Sequence, residues 1–148
     1  PDDLRSAVFV VVVGCGRVGS AIAKGLIDDG HDVNVVDESA EAFSRLGEDF
    51  PGSFVQGPAL EMTVLLAAGI DRADAFVAAT DGDNTNIVIA QIARERFRVP
   101  FVLVRVLDPY RARFYAERGL TTICPTQSAI EMMGSALREY ASTREDGA

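Results

Sequence analysis

The chain has 148 residues, a length that suits one domain with its own core. At 48% apolar and 24% charged it matches an ordinary globular domain, which needs neither a disulfide staple nor a structural metal. A formal net charge of -8 excludes nucleic acid and anionic lipid surfaces as partners, since both demand a basic face, while one small anion can still be held by local dipoles and an arginine or two.

Ala7–Val13 (AVFVVVV) is continuously apolar and β-branched, the pattern of a strand buried on both faces of a parallel sheet. It is far shorter than the ~20 residues that cross a bilayer, so no direct membrane insertion is expected. From Arg17 to Asp29 the period becomes helical, with Val18, Ile22 and Leu26 on one face and Gly30 where a C-cap belongs. Asp32–Asp37 reads as the second strand. Ser39 stands as the cap of a helix reaching about Leu46, and Pro51-Gly52 as a turn.

Ser53–Gln56 predicts a third strand, and Leu60–Ala68 a helix closed by Gly69. Ala73–Ala79 is the fourth strand, followed by a long helix from Asp83 or Asn84 to about Phe97. Pro100–Val106 is the fifth strand. Asp108-Pro109 is a cap followed by proline at the first helical position, and that helix ends at Gly119. Thr121–Cys124 is the sixth strand, and Pro125–Tyr140 a last helix carrying Ile130, Met133 and Leu137 on one face. Only the two ends read as disordered, including the polar tail after Ala141. Strand–helix alternation of this kind predicts a Rossmann-like, doubly wound α/β fold. Its six-stranded parallel sheet takes the order 3-2-1-4-5-6.

Gly14-Cys15-Gly16-Arg17-Val18-Gly19 is G-x-G-x-x-G between a buried strand and an amphipathic helix, the context in which the motif means phosphate binding. Gly14 permits the tight turn, Gly16 leaves room for a phosphate, and Gly19 lets the helix press on the strand. The helix N-terminus offers free N–H groups and the positive end of its dipole. Asp37 ends the second strand near the spacing at which a carboxylate accepts the ribose hydroxyls; capping the next helix is its alternative role. Glu38 follows and no arginine stands nearby in sequence, so NAD(H) or another unphosphorylated ribose is expected in preference to NADP.

Arg17, within the loop, is a candidate phosphate partner, with a solvated surface position as the alternative. Arg105 lies in an apolar strand and needs a partner: ligand phosphate, a neighbouring subunit or an internal carboxylate. Thr80-Asp81 and Gln56-Gly57 close strands on the ligand edge of the sheet. Asp83, Asn84 and Asn86 follow Thr80-Asp81 at a helix start, where capping is the plainer role. Cys15 is read as a small filler in the loop rather than an activated thiol. His31 falls on the opposite edge of the sheet. Cys15 and Cys124 fit no metal-ligand spacing, and a reducing, cytoplasmic compartment is expected.

These segments resemble the RCK (KTN) domains, the N-terminal lobe of bacterial Trk/Ktr potassium-uptake regulators and of gating subunits of potassium channels. The resemblance rests on VVVGCGRVGSAIAKGL, HDVNVVDES, LLAAGIDRADAFVAATDGDNTNIVIAQIA and VLVRVLDPYRARFYAERGLTTICP, which cover most of residues 8–125. It implies a ligand that is NAD(H) or an adenine nucleotide (ATP, ADP or AMP), contacted by Arg17, Asp37, Thr80 and Arg105. It also implies a homodimer or larger ring and a membrane-embedded potassium transporter or channel as partner. The domain would then work at the inner face of the cell membrane, with nucleotide exchange gating that partner. Residues 1–124 would form the nucleotide domain, 125–141 a crossover and dimerisation helix, and 142–148 a disordered tail. One departure concerns the third strand, which in this family usually ends G-D-A; here it ends Gly57-Pro58-Ala59, which puts base specificity in doubt. The C-terminal ligand-binding lobe of many members does not follow in this sequence, which is read as truncated or minimal.

The competing readings are catalytic. An NAD-dependent oxidoreductase needs an acid/base group beside the nicotinamide and usually a substrate domain, and neither is visible. A methyltransferase also pairs a glycine turn with an acid after the second strand, but the full glycine spacing and sixth strand fit a dinucleotide better. An ATPase would need G-x-x-x-x-G-K-[ST], which is absent. A binding module rather than an enzyme is therefore expected.

Overall fold

The computed structural model describes residues 7–147, so residues 1–6 and 148 of the ends read as disordered lie outside the described residues. Six parallel strands form one sheet in the order β3-β2-β1-β4-β5-β6, as the alternation predicts. The strands are β1 (Phe9–Val13), β2 (Asp32–Asp37), β3 (Ser53–Gln56), β4 (Ala75–Ala78), β5 (Phe101–Arg105) and β6 (Thr121–Ile123). The helices are α1 (Arg17–Asp28), α2 (Met62–Ala67), α3 (Asp83–Gln91), α4 (Pro109–Ala116) and α5 (Pro125–Asp146).

Side chains alternate across a strand, so the valine run of β1 feeds two cores at once. Val10 and Val12, with Val33 and Val35 of β2, meet Ala23, Ala42 and Leu46 on one side. Val11 and Val13, with Phe76 of β4 and Val104 of β5, meet Leu65 of α2, Ile89 of α3 and Ala112 of α4 on the other. Burial on both faces is why these strands carry almost no polar residues. Parallel pairing brings the C-terminal ends of β1, β2 and β4 to one edge.

Several local expectations change. On α1 the fully buried position is Ala23, with Ile22 and Leu26 partly buried, whereas Val18 is 43% exposed and leaves the predicted stripe. Ala40–Leu46 is a 3-10 helix rather than an α-helix. Ser39 makes no side-chain cap there; its backbone N–H is instead held by Asp37 Oδ1 at 2.9 Å. The predicted cap at Asp108 is present, accepting from the Tyr110 N–H at 3.1 Å ahead of Pro109. Helix α3 continues as a π-helical turn, Ile92–Arg96, to the predicted end near Phe97.

Helix α5 corrects the expected end at Tyr140 and the disordered tail: it runs on to Asp146. Thr143 Oγ1 donates to the Tyr140 carbonyl at 2.7 Å, Arg144 reaches the Tyr140 hydroxyl at 3.3 Å, and Gly147 ends the helix. Its 22 residues span about 33 Å, and none of them is buried.

Candidate nucleotide-binding site

The ends of β1, β2 and β4 enclose a hollow of about 500 Å³ over the glycine loop. Each glycine of the loop has its own reason. Gly14 adopts φ +106, and a side chain there would strike the Ala79 carbonyl of the neighbouring strand. A Cβ on Gly19 would overlap the Gly14 carbonyl oxygen, so only glycine lets α1 start this close to β1. Gly16 is different, because a Cβ there would meet nothing within 4 Å and would project into open space. Open room beside a helix N-terminus, whose first N–H groups have no intrahelical partners, is the geometry that accepts a phosphate.

Asp37 is held in place from both oxygens. Oδ2 accepts the Cys15 N–H at 2.8 Å and Oδ1 the Ser39 N–H at 2.9 Å. The carboxylate therefore staples the glycine loop to the end of β2, and its remaining lone pairs face the hollow that it lines. The capping role considered from sequence is not met, because Ser39 is the N-cap of the next helix and Asp37 holds its N–H from one residue further out, while the placement is compatible with an acceptor for a ribose. Cys15 is fully buried, with Sγ against the Ala42 carbonyl at 3.3 Å, the filler position expected of it. Burial pushes its thiol pKa up, and the Asp37 charge pushes it further; Arg45 and Lys24 pull the other way more weakly.

The hollow brings together Gly14, Cys15, Gly16, Asp37, Glu38, Gly57, Thr80 and Asp81 of the predicted set. Arg17, Val18, Gly19, Gln56 and Arg105 do not line it. Gly19 is buried behind the loop, while Arg17 and Val18 sit on the exposed side of the first turn of α1. Gln56 turns to the Glu38 carbonyl at 3.3 Å. Arg105 folds back to donate to the Thr80 carbonyl at 2.7 Å, with Asp81 at 3.6 Å and its Nε buried without a partner. Its closest contact is thus a backbone carbonyl under the hollow, with Asp81 at 3.6 Å as the internal carboxylate of the sequence reading. His31 lies at the far edge, accepting the Val8 N–H at 3.2 Å.

Sequence reasoning missed two groups. Arg45 lines the hollow and donates from Nη1 to the Cys15 carbonyl at 3.2 Å. This corrects the premise that no arginine stands near Asp37 and Glu38, for the 3-10 helix carries Arg45 back over the loop. Asn86, read only as a helix-start residue, is 1% exposed and hydrogen-bonded to Thr80 and Arg105. Asp83 and Asn84 are not the cap residues of α3, which is Gly82. Asp83 accepts the Leu107 and Asp108 N–H groups at 2.7 and 3.1 Å, and Asn84 accepts from Arg111 at 2.6 Å. Burial behind a strand end is the signal that would have found Asn86, and burial is not readable from a polar residue in isolation.

Comparison with known proteins agrees with this architecture. The model of the TrkA-N domain family matches residues 10–125. A Trk system potassium uptake protein TrkA from Streptomyces coelicolor is 43% identical over 126 residues, 85% of this chain and 56% of that protein. The chain thus spans about half the length of the curated relatives it matches. Among solved structures, the Shewanella denitrificans Kef C-terminal domain in its AMP-bound form superposes with a TM-score of 0.74 at 24% identity. It covers 89% of this chain and 81% of that one. The GsuK channel bound to NAD gives a TM-score of 0.66 at 19% identity, covering 84% of this chain and 22% of that one. With the family model spanning the glycine loop, the Asp37 strand and all six strands of the sheet, this chain belongs to the TrkA-N domain family.

Proposed function

We propose that this chain is a regulatory module that binds NAD(H) or an adenine nucleotide in the hollow over the glycine loop. Its occupancy would gate a membrane-embedded potassium transporter or channel from the cytoplasmic side. The observation that carries the reading is the pairing of Gly16, open toward the hollow, with the Asp37 carboxylate that lines the same space. Phosphate fits beside the first and ribose hydroxyls beside the second. Relatives named as Trk potassium uptake proteins supply the transport context, and solved neighbours bind AMP and NAD.

A binding role agrees better with the hollow than catalysis does. Its cysteine has a raised pKa, and the histidine lies on the opposite edge. Among the described residues no helix is long and apolar enough to cross a membrane, so contact with the transporter would be through protein. Helix α5, with Ile130, Met133 and Leu137 at 56%, 67% and 68% exposure, supplies the surface for a homodimer or larger ring. Switching follows if two nucleotides bind the two states of that assembly with different affinity.

The test is calorimetric titration with NADH, NAD, NADP, ATP and ADP, beside Asp37→Ala. Saturable binding that Asp37→Ala abolishes is expected. Binding by none of the five would leave the fold without this function.

A further inference from the structure

The hollow has an uneven charge balance. Asp37, Glu38 and Asp81 line it, and among the described residues Arg45 is the only cationic side chain that does. A nucleotide phosphate entering this space meets three carboxylates, opposed by the helix dipole and this one guanidinium. Arg17, the arginine that the motif itself supplies, lies outside the lining. We propose that Arg45 is the specificity-determining residue that makes affinity rise with the number of phosphates on the nucleotide. The proposal rests on the reading of the hollow as a nucleotide site.

Position supports this role. Arg45 Nη1 sits 3.2 Å from the Cys15 carbonyl oxygen. That carbonyl belongs to the same peptide unit as the Gly16 N–H, at the point where a Cβ would meet open space. In a trans peptide the carbonyl points away from the N–H, so the guanidinium sits on the opposite side of that peptide; what brings it to a bound phosphate is that Arg45 and Gly16 line the same hollow. A guanidinium carries five N–H donors in a planar fork. One is used on Cys15, and among the described residues no carboxylate pairs with Arg45, so the others remain for an anion. Fork geometry suits the non-bridging oxygens of a phosphate better than a point charge does. Anchoring by a backbone carbonyl leaves its charge unneutralised, where an ion pair with Asp37 or Glu38 would have cancelled it.

The experiment titrates the full chain, Arg45→Gln and Arg45→Lys with adenosine, AMP and ADP, and Asp37→Ala with ADP. The thermal midpoint of each protein without nucleotide is recorded alongside. Arg45→Gln is expected to weaken ADP by about tenfold or more, AMP by less, and adenosine by no more than about twofold, the span of one charge-assisted contact. Arg45→Lys should fall between, and the unliganded midpoint should stay close to that of the unsubstituted chain. Equal losses for adenosine, AMP and ADP would overturn the proposal and make Arg45 a contact to the base or a brace for the loop. Unchanged ADP affinity would overturn it as well. If the unsubstituted chain binds none of the three, the nucleotide reading itself fails. If ADP binding is lost in Asp37→Ala but retained in Arg45→Gln, only the role of Arg45 fails.

Discussion

Asn86 and Thr80 are locked together by three hydrogen bonds at the edge of the hollow. Asn86 Oδ1 accepts from the Thr80 N–H at 2.9 Å and from its hydroxyl at 2.6 Å, and Asn86 Nδ2 donates to the Thr80 carbonyl at 3.0 Å. The same Nδ2 donates to the Arg105 carbonyl at 3.0 Å, so one buried amide ties the ends of β4 and β5 to α3. A strand end has no ladder partners of its own, and this side chain supplies them. Arg105 closes the arrangement by donating to the carbonyl that Asn86 already holds.

Replacing Asn86 with alanine should therefore strip the Thr80 N–H and the Arg105 carbonyl of this partner, while the Thr80 carbonyl keeps its bond from Arg105. A loss of about 2–3 kcal/mol is expected, since each buried polar group stranded this way costs about 1–3 kcal/mol. Asn86→Asp keeps the acceptor but sets a carboxylate against two carbonyl oxygens, and should be at least as destabilising. Urea denaturation at equilibrium measures both, and an Asn86→Asp chain as stable as the parent would contradict this account.

The loop glycines should separate stability from binding. Gly19→Ala drives a methyl group into the Gly14 carbonyl and should cost about 1–3 kcal/mol through displaced backbone. Gly16→Ala meets no protein atom and should change stability by less than about 1 kcal/mol, the scale of a helix N-cap exchange. Nucleotide binding should nevertheless fall in Gly16→Ala, because the methyl group occupies the phosphate space. Thermal melts together with titrations distinguish the two variants.

Helix α5 should behave as an interface. Its apolar residues Ile130, Met133 and Leu137 are spaced along one face and exposed in the single chain. Sedimentation at micromolar concentration should give a dimer or larger species. Met133→Asp with Leu137→Asp should shift it to monomer while leaving the fold's circular dichroism in place. A monomeric parent chain would contradict the assignment.

The two cysteines should differ in reactivity. Burial raises the Cys15 pKa, so at neutral pH its thiolate fraction lies below that of an ordinary cysteine, and it grows only as pH rises toward that higher pKa. Cys124 is only partly buried. Alkylation at neutral pH followed by peptide mass spectrometry should label Cys124 first and Cys15 only at higher pH or on unfolding. Bound nucleotide should slow Cys15 further, because it would sit over the loop.

Much of this molecule is legible one residue after another. The valine run of β1, the glycine spacing and the acid ending β2 report local requirements: burial on both faces, room beside a peptide, an acceptor at a strand end. Each is a property of a short segment, so periodicity and residue type alone determine the strand–helix order and hence the sheet, as well as Gly14, Gly16 and Asp37 at its edge. Helix ends were less legible, because α5 continues past Tyr140 through side-chain contacts along its own polar turns.

Tertiary structure alone decided which charges meet. Arg45 stands 30 residues from Cys15 in sequence, beyond α1 and β2, yet the 3-10 helix Ala40–Leu46 carries it onto the Cys15 carbonyl. Arg17, inside the motif, is exposed on the first turn of α1 and is not among the side chains lining the hollow. Arg105 and Asn86 became partners of Thr80 only when β4, β5 and α3 converged. A strand or a glycine turn is set by forces acting within a few residues, whereas the partner of a long polar side chain depends on where distant segments come to rest.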